Sequence, residues 1–256
     1  MLEGMTRKMH ARSASLLVSL EASLDRIMHI WLLLAGLAAA LRIAISPIPA
    51  GLQPVTVAPY LLLMFAPFAS MLLALRWFAD GDRQPRPALL LARIGTWHSV
   101  SRGEAKRHPL YGTGGFMVSL LIGMLLNVPV RAVEYLAAMP ALSGPVPAWL
   151  STLHLMMTLD LVLMSSLYTI AFVAALRRVP SFPRLIAAIW LLDLAMQVAT
   201  ARMMTGMTDL PGNVAGALQS LLEGNVMKVV ASIALWLPYL LLSKRVNVTF
   251  RHRIAA

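Results

Sequence analysis

Six stretches of the chain are apolar for long enough to cross a bilayer, at residues 27–45, 59–78, 115–132, 151–176, 185–204 and 226–242. A hydrocarbon layer of roughly 30 Å takes about 20 residues at about 1.5 Å each. Backbone amides and carbonyls inside that layer find no water, so spanning segments of this kind satisfy their own hydrogen bonds as helices. The expected fold is therefore an all-α polytopic membrane helical bundle with about six transmembrane helices. Composition agrees, with 59% hydrophobic and 13% charged residues, where soluble domains carry about 25% charged residues.

The cations are distributed unevenly between the connections. Arg7, Lys8, Arg12 and Arg26 precede the first span; Arg76, Arg83, Arg86, Arg93, Arg102, Lys106 and Arg107 fill the second loop; Arg177, Arg178 and Arg184 fill the fourth; and Lys244, Arg245, Arg251 and Arg253 follow the last. The first loop, carrying "SPIPAGLQP", has neither Lys nor Arg. By the positive-inside rule both termini and the even-numbered loops are expected in the cytoplasm, and the membrane is expected to be the bacterial inner one. That placement accounts for the net charge of +11 and makes nucleic acid an unexpected partner. Glu21 and Asp25 interrupt the approach to the first span, which is expected to be retained rather than cleaved. Leu16, Leu20, Leu24 and Ile27 share one helical face, as do Leu90, Ile94 and Trp97, so both stretches are expected to lie along the interface. "DGDRQPRP" and "SRGEAKRHP" mark an expected boundary between an N-terminal region at 1–107, holding two spans and a basic loop, and a four-span unit at 108–256.

Three landmarks in that second unit carry a family resemblance: "GTGGFMVSLLIGMLLNVPVR" at 112–131, "FP" at Phe182 and Pro183, and "LWLPYLLLSKRVNVTF" at 235–250. With these the chain resembles, over roughly residues 110–250, an uncharacterised bacterial inner-membrane family typified by YdgK, domain of unknown function 2569. Phe116 stands where the family usually has Trp, and Leu235 and Leu237 replace the more typical isoleucines. The resemblance implies a four-helix membrane core and no particular activity, substrate or catalytic residue.

Within the spans, Gly115, Ser119, Gly123 and Asn127 recur every four residues and are expected to form a small-residue seam where another helix approaches closely. Asp160 and Asp193 are the deepest ionisable groups. Each lies about 13–14 Å from the outer end of its span at about 1.5 Å per residue, which allows them to meet in mid-membrane. A carboxylate pair sharing a proton would suit an intramembrane protease or a proton relay. "TLDLVL" and "LLDLAM" lack the glycine and tyrosine patterns of such proteases. The plainer reading makes Asp193, Gln197 and Thr200 one polar helical face bonded to neighbouring helices.

Arg42, Arg131, Arg202 and Lys228 fall near the outer ends of four spans, where converging guanidinium groups would hold a lipid phosphate. Snorkelling, or pairing with nearby carboxylates, is the alternative. His154, Met156 and Met157, with Met203, Met204 and Met207, bring one imidazole and several thioethers toward the outer side, a donor set suited to Cu(I) and equally to simple core packing. The absence of Cys excludes disulfides and thiolate-bound metals. Metalloprotease, serine-hydrolase, Walker and dinucleotide motifs are missing too, so no cofactor is expected. The sequence therefore points to a non-enzymatic accessory or assembly subunit, with membrane lipids and a membrane-protein partner or second copy as its contacts. The alternative is a small transporter or lipid-phosphate-binding protein using the intramembrane Asp and outer Arg residues.

Overall fold

The computed structural model describes residues 13, 15–47, 51–87 and 95–256. In chain order the elements are α1 (Leu24–Ile45), α2 (Pro54–Trp77), a 3-10 turn (Gly81–Arg83), β1 (Trp97–Ser99), α3 (Arg102–Arg107), α4 (Met117–Ala138), α5 (Ala148–Leu176), α6 (Phe182–Thr205), α7 (Gly212–Leu242), α8 (Lys244–Arg251) and β2 (Arg253–Ala255). Among them, α1, α2, α4, α5, α6 and α7 are each long and apolar enough to cross a membrane. A helical stretch at residues 15–22 precedes α1.

Several helices extend past the apolar runs. Pro54 opens α2, where a residue without an amide proton sacrifices no bond. The fourth helix continues through Arg131 and Glu134 to Ala138, because Arg131 is buried and does not mark a membrane boundary. The seventh begins at Gly212, well before Val226, so Gln219, Glu223 and Asn225 are helical residues and not loop.

The centre of the bundle is α5, whose apolar window is 61% buried and which packs against α2, α4 and α6. Its C-terminal half carries Ala171, Ala174 and Ala175 with no exposed surface, and such small side chains let neighbouring backbones come close. Phe172, Phe182, Ile186 and Phe250 complete the cluster there. At the other end Tyr60, Tyr135, Leu153 and Met204 form a second cluster. Helices α1 and α7 are peripheral, with 17% and 11% of their windows buried.

The basic connections meet on one face. Ser13 accepts from the Gly115 amide at 2.9 Å, and Arg177 pairs with Glu21 at 3.3 Å. β1 runs antiparallel to β2, with His98 opposite Ile254, and the Val100 amide donates to the His252 carbonyl at 3.0 Å. Arg86 adds donations to the carbonyls of Arg251 and Val100 at 3.3 Å each. This ladder is absent from the sequence-based expectation because its two short strands lie far apart in the chain. Arg251 reaches back to the Leu240 carbonyl at 2.9 Å, satisfying an acceptor near the end of α7. Burial, with the charges of Arg253 and Arg184, pushes its guanidinium down to about 10. Asp82 holds Arg102 at 3.4 Å and also pairs with Lys106. Burial raises this carboxyl, and the Lys106 hydrogen bond with the charges of Lys106, Arg102 and Arg178 outweighs burial, leaving it below the usual carboxylate range. Its contribution to stability is present above the usual carboxylate range and is lost as pH falls through the depressed value.

Of the expected amphipathic face before the first span, the inward side chains are Leu17, Leu20, Leu24 and Met28, while Leu16 is exposed. Leu90 and Ile94, with Arg7, Lys8, Arg12 and Arg93, lie outside the described residues. The charge distribution predicts the basic face to be cytoplasmic. In this cysteine-free chain, Pro145→Cys is expected to react with an impermeant thiol reagent in intact spheroplasts, and Gly103→Cys only after permeabilisation; the reverse pattern would invert the topology.

Candidate functional site

Halfway along the bundle α4, α5 and α6 each supply a polar side chain to one buried network. On α4, Asn127 and Arg131 are four residues apart and so share a face, and Arg131 Nε donates to Asn127 Oδ1 at 2.9 Å. The guanidinium then spans two helices, with Nη1 at 2.5 Å from Asp160 Oδ2 of α5 and Nη2 at 2.5 Å from Asp193 Oδ2 of α6. Arg131 is 8% exposed and Asp193 0% exposed. From the other side Tyr168 donates its hydroxyl proton to Asp193 at 2.9 Å. Gln197, one turn after Asp193, donates to Asp160 at 3.1 Å and to Asp193 at 3.4 Å.

Two carboxylates and one guanidinium carry one negative charge in excess when all are ionised. An uncompensated charge away from water is expensive, and one added positive charge such as a proton would neutralise the three groups. It is also weak evidence for stability, because buried ion pairs often cost as much in desolvation as they return. Beside the guanidinium, Asn127, Glu134, Tyr168, Asn225 and Lys228 line a cavity of about 40 Å³, room enough for a water molecule. Lys228 pairs there with Glu134. Between α6 and α7 lies a larger, mainly apolar cleft of about 710 Å³. Gln197 lines it, so the amide that bonds both carboxylates also borders the cleft.

Over residues 110–251 the chain matches the model of a family described as a protein of unknown function (DUF2569). The chain belongs to that family. Every residue of the network lies inside the DUF2569 match, whereas α1, α2 and Arg42 lie before it. No curated protein and no solved structure matches the chain.

The sequence candidates divide accordingly. Asp160 and Asp193 meet through Arg131, and Gln197 joins them. Thr200 is buried but bonds its own helix at the Met196 carbonyl. The outer cations do not converge: Arg42 donates to the Met139 carbonyl at 2.9 Å, Arg131 faces the carboxylates, and Arg202 is exposed. Phosphate capture by these arginines therefore has no geometry to support it. Nor is the small-residue stripe an internal seam. Gly115 precedes α4 with φ 67, Ser119 and Gly123 are exposed, and a Cβ on Gly123 would meet nothing within 4 Å; Asn127 alone turns to the network. His154 bonds the Tyr135 hydroxyl at 3.2 Å. Met204 is in the second core cluster with Met157 and Met207 packed against it, Met156 is buried, and Met203 is 45% exposed. Among the described residues no three His, Asp or Glu side chains gather as a metal site.

Tyr168 escaped the sequence reading. Its signal was positional: eight residues after Asp160 on a helix of 3.6 residues per turn, it lies about two turns on and within roughly a quarter turn of the same face.

Removing one partner of a buried charge cluster leaves the other uncompensated, so Arg131→Met is expected to destabilise the protein by roughly 3–5 kcal/mol. Adding Asp160→Asn and Asp193→Asn to Arg131→Met is expected to restore most of that loss. Thermal unfolding in one detergent measures both, and purely additive effects would show that the three groups do not interact.

Proposed function

We propose that this protein is a proton-linked membrane carrier or binding protein for a small amphipathic molecule. The observation that carries the reading is the shared position of Gln197, which lines the α6–α7 cleft and donates to both carboxylates. The cleft would take the apolar body of the ligand, and its volume falls in the range of small-molecule sites. Gln197 would meet the polar end, and any turn of its amide toward ligand would alter the hydrogen bonds that hold Asp160 and Asp193. The excess carboxylate would hold a proton, linking occupancy of the cleft to protonation. In this reading the membrane is the bacterial inner one, and the basic face with both termini is cytoplasmic.

A second reading, an accessory subunit of a larger complex, is favoured by the outward-facing Ser119 and Gly123. That open stripe suits close approach by a helix of another protein or of a second copy.

Native mass spectrometry of the protein taken from its own membranes separates the two. The carrier reading expects a chain bearing one defined small-molecule mass, with occupancy reduced at least about tenfold by Ala201→Phe, which narrows the cleft and leaves the charged network intact. Additional subunits at fixed stoichiometry with no small molecule would contradict it and select the accessory reading.

A further inference from the structure

A second cavity, of about 580 Å³, lies on the basic face and is bordered by the glycine-rich loop at residues 111–115, by Arg178, Arg245 and Leu176, and by Ser13 and Glu21. The loop is held open by its own bonds. The Gly112 amide donates to Thr249 Oγ1 at 3.0 Å and the Gly115 amide to Ser13 Oγ at 2.9 Å. Gly112 and Gly115 have φ 106 and 67, a region open to glycine and unfavourable for a side chain. Between them, the amides of Thr113 and Gly114 have no partner among the described residues.

The side chains around the loop are donors as well. The Arg178 guanidinium stands over the Tyr111 ring, 5.8 Å from its centroid. Arg245 Nη1 approaches the Gly112 carbonyl at 3.5 Å. Among the described residues neither arginine pairs with a carboxylate. The Tyr111 hydroxyl is buried without a partner among them. Glu21, the acidic group at the rim, is engaged by Arg177 at 3.3 Å. Two guanidinium groups and two amides with no partner among the described residues thus border one cavity, a donor-rich arrangement that matches the acceptor oxygens of a phosphate. The cavity adjoins the end of α5 and the junction of α7 with α8, on the face that gathers the cations, the level at which lipid headgroups meet a spanning bundle.

We propose that this loop, with Arg178 and Arg245, is a binding site for a phosphate group, carried either by an anionic phospholipid headgroup or by free phosphate. It lies at the opposite end of the bundle from the outer arginines and does not depend on the carrier reading.

The test compares the wild type with an Arg178→Asn, Arg245→Gln double variant, Asn being chosen because position 178 has φ 57 and Asn tolerates that region. Arg107→Gln, an exposed cation elsewhere on the same face, serves as the charge control. Thermal stability is read in phosphatidylcholine nanodiscs, in nanodiscs with added phosphatidylglycerol, and in phosphatidylcholine with added inorganic phosphate. The expected result is that one of the two phosphate sources stabilises the wild type and the Arg107→Gln protein, while the double variant needs at least about tenfold more of it. A response to phosphatidylglycerol alone assigns a lipid headgroup, and a response to inorganic phosphate assigns a free anion. Failure of both sources to stabilise the wild type, or equal losses in the double variant and in Arg107→Gln, would overturn the proposal. Should the double variant not fold in phosphatidylcholine, Arg245→Gln alone is read against the same outcomes.

Discussion

A guanidinium in the middle of an apolar bundle has to be met by acceptors from its neighbours, and Arg131 is met by all that surround it. Its three nitrogens engage Asn127 on its own helix, Asp160 on α5 and Asp193 on α6. No rotation of one of these helices, or slide by a turn, keeps all three contacts. Non-directional packing of Leu, Ala and Met tolerates such movements, so this polar tie constrains the register of α4, α5 and α6. A cluster of this kind is a poor source of net stability. Around it α5 is enclosed by its partners, and α7 stays at the margin, leaving between itself and α6 the cleft that Gln197 lines.

The ends of the bundle are organised by different forces. On one side apolar and aromatic contacts dominate, with Tyr60 and Tyr135 edge to face at 6.2 Å. On the other, cations outnumber carboxylates and much of the binding falls to backbone carbonyls, as with Arg86 and Arg251. Pairing of β1 with β2 fastens the last residues to the second loop, so the chain end closes over the basic face. That face is held together and remains rich in donors, which is the condition an anion site requires.

Much of this was legible in the sequence because hydrocarbon imposes a length and a sign. Six long apolar runs and the one-sided cations lead to the helices and to the grouping of their basic connections, and the residues at 112–131 and 235–250 lead to the family. The Asp193–Gln197 face could be read from helical spacing. Arg131 was harder. Taken with Pro129 it looks like the end of a span, and only the neighbouring carboxylates make burial affordable, a fact that lies in three helices at once. The small-residue stripe misleads for a similar reason: spacing says which residues share a face, and not whether another helix covers it. The β1–β2 ladder depends on two three-residue strands with no local signal, and the loop at 111–115 acquires its donors from the turn after α5 and from α8, which sequence order keeps apart.

The central claim is that Arg131, Asp160 and Asp193 act as one unit with a carboxylate in excess, and infrared spectroscopy of the purified protein across a pH titration examines it most directly. The account predicts the carbonyl stretch of a single protonated, buried carboxyl at neutral pH, abolished by Asp160→Asn and by Asp193→Asn alike because either change removes the excess charge. Two ionised carboxylates at neutral pH, or a protonated signal that survives both substitutions, would contradict it.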